Sequence, residues 1–222
     1  ARHRDDGTPF LEALRAAGLG GLPREQIDLS RYAGYCEAHI EQGDWLEAKG
    51  LRIGVVTAIV GCWVFRIRAD GIQNHAGTTR MAIRKDAGLA LCRLAVALND
   101  ELPAVAGPRS VWTTGRLEMV PGVYTIIPGE AKMDFQFRDT DPATLQRMRD
   151  CVDAVIARMN ADGPCPIHYT IEKMEPTPMA PDVIAALEGS ARSLAAGAYE
   201  LMPSAAGHDA GNFGRIMPSG ML

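Results

Sequence analysis

Nowhere in the 222 residues does an apolar run reach the roughly 18 that a membrane-spanning helix needs, which excludes a helical anchor from the reading. Lysine and arginine never gather into a run, and the formal net charge is only −4. The electrostatic footprint of a nucleic-acid binder is therefore missing. The five cysteines, at 36, 62, 92, 151 and 165, are odd in number and form no Cys-x-x-Cys pair. That usage points to a reducing, cytoplasmic setting with thiols acting as small buried apolar residues, a catalytic thiol being the alternative. What remains, 47% hydrophobic and 23% charged, is an ordinary globular composition with room for one large or two modest domains. The chain opens on Ala-Arg-His-Arg rather than Met, as expected of a processed, trimmed or longer polypeptide.

Histidine is also scarce, with five copies, yet two of them keep unusual company. His39 lies in Glu-Ala-His-Ile-Glu-Gln-Gly (37–43) and His208 in Ala-Gly-His-Asp-Ala (206–210). Each sets an imidazole among carboxylates beside glycine, the pattern of a metal ligand with supporting partners. Neutral imidazole serves zinc, manganese and cobalt alike. On the residues alone, each histidine is either a ligand, with Glu37, Glu41 and Asp209 orienting the pair, or a satisfied polar group at a strand end. His75, in Asn-His-Ala-Gly-Thr-Thr (74–79), is either a donor to a developing oxyanion or a polar residue at a helix entry. Arg138 ends a strand on its non-core face. It can clamp a carboxylate through two parallel hydrogen bonds, or pair with Asp134 or Asp139 on the surface. His168 reads as solvated and His3 as part of the terminal stretch.

Periodicity predicts a helix over 8–18, with Thr8 as cap, Pro9 at its first position and Gly18 past its end. Residues 35–41 alternate with period two, so Cys36, Ala38 and Ile40 are expected to face a core and Glu37, His39 and Glu41 to face away. A helical turn between Asp44 and Gly50 and a buried strand over 53–60 follow. From residue 62 the order becomes strand (Trp63, Phe65, Ile67 and Ala69 inward), helix near 79–99 capped by Thr78 or Thr79, and strands near 110–119 and 131–138. A helix opened by Asp141-Pro142 and a strand over 167–174 complete it. This is the β-α-β-β-α-β, ferredoxin-like order, and such a sheet leaves a surface open for dimerisation. A further helix is expected over 182–196. The fold class is thus α/β: residues 62–174 form a module inserted into a domain represented by 1–61 and 175–222. Those two pieces hold few strands, and a sheet built from them alone would have open edges and a thin core, so the domain is read as incomplete.

At these residues the chain resembles the amidase/hydantoinase-carbamoylase branch of the M20 metallopeptidase-like family, which includes N-carbamoyl-L-amino-acid hydrolases, allantoate amidohydrolases and β-ureidopropionases. The resemblance rests on 35–43, Ile-Gly-Val-Val-Thr-Ala-Ile-Val-Gly (53–61), 74–79, Arg-Lys-Asp-Ala (84–87), Ile-Pro-Gly-Glu (127–130) and 206–210, in family order. It implies two divalent metal ions (zinc, manganese or cobalt), with His39 on one and His208 on the other. Gln42, Thr125, Gly207 and Arg138 would contact substrate, Arg138 through its carboxylate. His75 would stabilise the tetrahedral intermediate, reaching into the partner of a homodimer formed through 62–174. The implied reaction cleaves the ureido C–N bond of an N-carbamoyl-L-amino acid or a related ureido acid.

Three departures qualify the pattern. The family's upstream His-x-Asp motif, bridging aspartate and Glu-Glu pair are absent from these residues, as is its final Gly-Ile-Ser-His segment, so the 222 residues alone are expected to be inactive. Thr125 replaces a usual asparagine, and Arg80 a usual proline. The rival of a different class is a non-catalytic dimerisation or binding protein; a peptidase of the same superfamily is disfavoured by His-Ile-Glu-Gln-Gly.

Overall fold

The computed structural model describes residues 8–23 and 25–222; His3 lies outside them. The described residues up to Ala33 belong to a compact unit distinct from Gly34–Leu222. Here helix α1 (Phe10–Ala16) has Pro9 at its cap position, with φ −59°, where Thr8 was expected. Pro9 donates no amide and its fixed φ suits a helix entry, so the boundary moves inward by one residue. Gly18 closes the element at φ +74°, a conformation that costs glycine little.

The second unit begins with β1 (Tyr35–Glu37), α2 (Trp45–Ala48) and β2 (Ile53–Ile59). Strand β1 is shorter than the alternation predicts; His39 is exposed as expected, but the face expected to be covered lies open. Cys36, Ala38 and Ile40 are exposed, Ile40 to 74%, whereas Glu37 is half-buried. Period two says which residues share a face, not which face becomes covered. Here Glu37 is drawn inward because its Oε2 accepts the Ala210 amide at 2.7 Å.

Next come β3 (Gly61–Asp70), β4 (Asn74–His75), α3 (Ala87–Glu101), β5 (Val111–Val120), β6 (Ile126–Ile127), β7 (Glu130–Asp139), α4 (Pro142–Asp162) and β8 (Ile167–Met174). The four long strands form an antiparallel sheet in the order β5-β7-β3-β8. With α3 and α4 this is the β-α-β-β-α-β arrangement. Both helices pack on one face. Phe65, Ile67, Met133, Phe135 and Phe137 from the sheet meet Leu91, Leu94 and Leu98 of α3 and Leu145, Met148, Val152 and Val155 of α4. Each such side chain contributes about 1.5–3 kcal/mol by leaving water. The opposite face is charged and self-paired, as in Arg66–Asp134 at 2.7 Å and Arg68–Glu130 at 2.9 Å.

Helix α3 starts at Ala87, not near residue 79. Asp86 caps it by accepting the Leu89 amide at 2.9 Å, and Ile83 is 56% exposed. The expected first turns are instead a single 3-10 turn (Met81–Ile83) within a loop held by Arg84, whose Nε donates to the Thr79 carbonyl at 3.0 Å. Between these elements β4 and β6 pair as a small antiparallel ribbon, Asn74 with Ile127 and His75 with Ile126.

The chain ends with β9 (Thr177–Pro178), α5 (Pro181–Leu194), β10 (Tyr199–Ser204), α6 (Asp209–Phe213) and β11 (Ser219–Met221). Strand β10 runs parallel to β2, β9 pairs with β2 from the other side, and β11 runs parallel to β1. A second, smaller core gathers Val56, Ile59, Met179, Ala210 and Met221. The crossing between the two packed regions is tight at Gly61: an added Cβ would lie 2.7 Å from Pro176 Cδ and 2.8 Å from Leu145 Cδ1. Among the described residues no helix is long and apolar enough to cross a membrane.

Candidate metal centre

Two distant segments meet beside β11. His39 follows β1, and its amide donates to the Leu222 carbonyl at 2.9 Å while the Leu222 amide donates to the Glu37 carbonyl at 3.0 Å. His208 is the cap residue of α6, four positions past the end of β10. Their rings meet edge to face, centroids 4.6 Å apart at 72°. Donor atoms of Glu37, His39 and His208 all lie within 4.8 Å of one another. Two imidazoles and a carboxylate around one space suit a first-row divalent ion.

The surroundings prepare these donors. His39 Nδ1 sits 2.6 Å from the Ile40 carbonyl; a carbonyl only accepts, so Nδ1 carries the proton and Nε2 keeps its lone pair for a ligand. The His208 side chain is 3% exposed. Its burial, and then the nearby His39, push the imidazole pKa below the ordinary histidine value, while Glu37 and Asp209 pull it back. A neutral imidazole is the ligating form. Glu37 Oε1 lies 3.7 Å from His208 Nδ1, and Ser204 Oγ is 2.7 Å from His208 Nε2.

Of the carboxylates expected to orient the histidines, Glu37 is in place and Asp209 opens α6, acting on His208 by charge. Glu41 is not at the centre. Its two oxygens accept the Trp45 and Leu46 amides at 2.8 and 2.9 Å, capping α2.

A cleft of about 350 Å³ surrounds the pair, lined by His39, His208, Gly207, Glu175 and Arg215 among others. Gln42, His75, Thr125 and Arg138 are not part of its wall. Gln42 holds φ +60°, alone among the described non-glycine residues in the left-handed region, a conformation retained only where the surroundings impose it. His75 and Thr125 are brought together on the β4–β6 ribbon, where the Thr125 carbonyl accepts the Ala76 amide at 2.9 Å. His75 Nδ1 accepts the amides of Gly77 and Thr78, both at 3.1 Å, which leaves the proton of the neutral ring on Nε2. Arg138 pairs with neither Asp134, which takes Arg66, nor Asp139, which accepts from Ser110 and from the Asp141 amide. Its Nη1 instead donates to the Ala205 carbonyl at 2.9 Å, two residues before Gly207.

Ser204, Glu175 and Arg215 were not foreseen as neighbours of the histidines. Ser204 stands four residues before His208, but β10 itself carries no clear alternation, so nothing in the spacing marks it.

No family model matches the chain. Among curated proteins it is 32% identical over 219 residues to a ureidoglycolate hydrolase of Oryza sativa subsp. japonica, covering 96% of this chain and 45% of that one. It is also 32% identical over 221 residues to the allantoate amidohydrolase of Escherichia coli K12, covering 97% and 52%. Among solved structures it superposes on an amidase of the hydantoinase/carbamoylase family from Burkholderia phymatum with a TM-score of 0.85 and 38% identity, covering 99% and 55%. The chain spans about half the length of the curated relatives it matches.

Proposed function

The chain belongs with the hydantoinase/carbamoylase amidases, and we propose on that premise that it is part of a metal-dependent amidohydrolase. Its substrate is an N-carbamoyl-L-amino acid or a related ureido acid such as allantoate or a β-ureido acid. The observation that carries this reading is the convergence of His39 and His208 with Glu37 between them. His39 would hold one divalent ion and His208 the other, zinc, manganese or cobalt. Bound there, such ions polarise a ureido carbonyl and acidify water.

This chain's residues supply recognition and charge stabilisation. Arg138 takes the substrate carboxylate, and Gln42, Gly207 and Thr125 contact the rest. His75, with its proton on Nε2, would reach the cleft of the partner subunit and donate there to the carbonyl oxygen as negative charge develops. Cleavage of the C–N bond with one water gives the amine, ammonia and carbon dioxide. We assign dimerisation to residues 62–174, where β5 is an edge strand with Val111, Leu117 and Met119 exposed. Residues 1–61 and 175–222 are assigned to the catalytic domain, its remaining ligands and general base coming from polypeptide outside these residues, in keeping with the half-length match.

The test is ammonia release by the full-length protein reconstituted with zinc, manganese or cobalt, against N-carbamoyl-L-amino acids, allantoate, ureidoglycolate and 3-ureidopropionate. Metal-dependent turnover of one class supports the assignment, and the 222 residues alone release none. Absence of turnover on all four, with every metal, overturns it in favour of a binding role.

A further inference from the structure

Trp45, Lys49, Arg109 and Glu200 come from three separate parts of the fold and meet at one point. The Arg109 guanidinium lies 3.9 Å from the centroid of the Trp45 ring, and Lys49 Nζ lies 4.2 Å from it. The Trp45 indole N–H donates to Glu200 Oε1. Glu200 also takes Lys49 at 2.7 Å and Arg109 at 3.3 Å. Every polar end in the group is thus paired, and the indole is flanked by two cations, the arrangement its ring quadrupole favours.

Three of the four lead directly to a residue of the site. Trp45 opens α2, whose first two amides donate to the carboxylate of Glu41, two residues beyond His39. Glu200 lies on β10, which ends at Ser204 beside His208. Arg109 lies in the loop before β5, and that loop is anchored rather than free. Gly107 donates its amide to Ser110 Oγ at 2.8 Å, and the Ser110 hydroxyl donates to Asp139. Asp139 is 7% exposed and adjoins Arg138 at the end of β7. The loop and the Arg138 strand end are therefore one rigid piece.

We propose that Trp45, Arg109 and Glu200 form a clasp that fixes the Arg138 strand end relative to the His39 and His208 segments, with Arg109 as its positioning residue. The contact of Arg138 with Ala205 is the second point of the same docking. Without the clasp, the β3–β8 module is joined to the rest chiefly at Gly61 and at the Met174–Thr177 exit. Arg138 then loses its fixed distance from the cleft. The kinetic consequence rests on the proposed role of Arg138 as carboxylate clamp; the structural one does not.

The experiment is hydrogen exchange and steady-state kinetics on the full-length protein carrying Arg109→Ala, Arg109→Lys or Trp45→Phe. In Arg109→Ala, amides over 136–139 and 204–208 exchange about fivefold faster, and KM for the ureido acid rises about fivefold with kcat nearly unchanged, the scale of one lost cation–π contact. Arg109→Lys and Trp45→Phe, which keep a cation on an aromatic face, recover most of both. Exchange at wild-type rates in Arg109→Ala, or no recovery with lysine, overturns the clasp. If the protein hydrolyses no ureido acid, the exchange rates alone decide. If it does and exchange is unmoved, the clasp falls while the amidohydrolase reading stands.

Discussion

Glu37 and Ala210 are joined by a 2.7 Å hydrogen bond from the Ala210 amide to Glu37 Oε2. The carboxylate that approaches His208 therefore also closes the amino end of α6, at whose cap position His208 stands without a capping bond of its own. A helix end carries unsatisfied amides and partial positive charge, so a carboxylate is well placed there. The same bond holds the β1 segment against α6, and the Tyr35–Phe213 ring stack at 4.2 Å reinforces it.

These two tasks of Glu37 separate by substitution. Glu37→Gln keeps an oxygen for the Ala210 amide, so urea-denaturation stability should stay near wild type. Glu37→Ala loses it and should cost about 1 kcal/mol, as for a lost helix cap. Both remove the charge facing the imidazoles, and zinc affinity should fall about 10–100-fold in either. Equal stability of the two variants would contradict the capping role.

His75 should be the Nε2–H tautomer whenever it is neutral, because two amides point at Nδ1. Nitrogen-15 shifts of the ring distinguish the forms. An Nδ1–H ring would remove the donor that the oxyanion assignment needs.

Two local features of the β3–β8 module should be visible in its stability. Asp86→Ala removes the α3 cap and should cost about 1 kcal/mol, while an alanine at Thr78 should not act as a lost cap. Gly61→Ala forces a methyl against Pro176 and Leu145 and should cost about 1–3 kcal/mol. Denaturant midpoints of the three variants give the comparison.

The β-α-β-β-α-β module was legible because its signals are local. Trp63, Phe65, Ile67 and Ala69 alternate cleanly, and Asp141-Pro142 marks the start of α4 without ambiguity. The entry to α3 was misplaced because Ile83 fits the helical spacing, while the reason its turn stays short and separate from α3 lies elsewhere: Arg84 bonding back to the Thr79 carbonyl. The orientation of β1 was misread for a related reason. Its covered face is chosen by the Ala210 amide, far along the chain. The two histidines stood out by their neighbours in sequence, whereas Ser204 and the Ile40 carbonyl depend on backbone geometry that spacing does not encode.

The acid response of the clasp follows from Glu200. Its pKa is held below the ordinary glutamate value, first by the hydrogen bond from Lys49, then by Trp45 and Arg109, against the opposing effect of burial. A depressed carboxylate stabilises the fold above its unfolded pKa, near 4.3, and this contribution disappears as pH falls through the lower folded value. Thermal melts of wild type and Glu200→Gln should therefore differ at pH 7 and converge in acid. A difference unchanged down to pH 3 would show that Glu200 does not act through its charge.

The most direct test is calorimetric zinc titration of the protein with His39→Ala, His208→Ala and, as control, His168→Ala, whose ring is 67% exposed and lies 3.6 Å from Asp70. Losing either of the first two should weaken binding by more than about 100-fold, beyond what removal of a supporting partner costs, with the control unchanged. Wild-type affinity in either His39→Ala or His208→Ala would contradict metal ligation by those two rings.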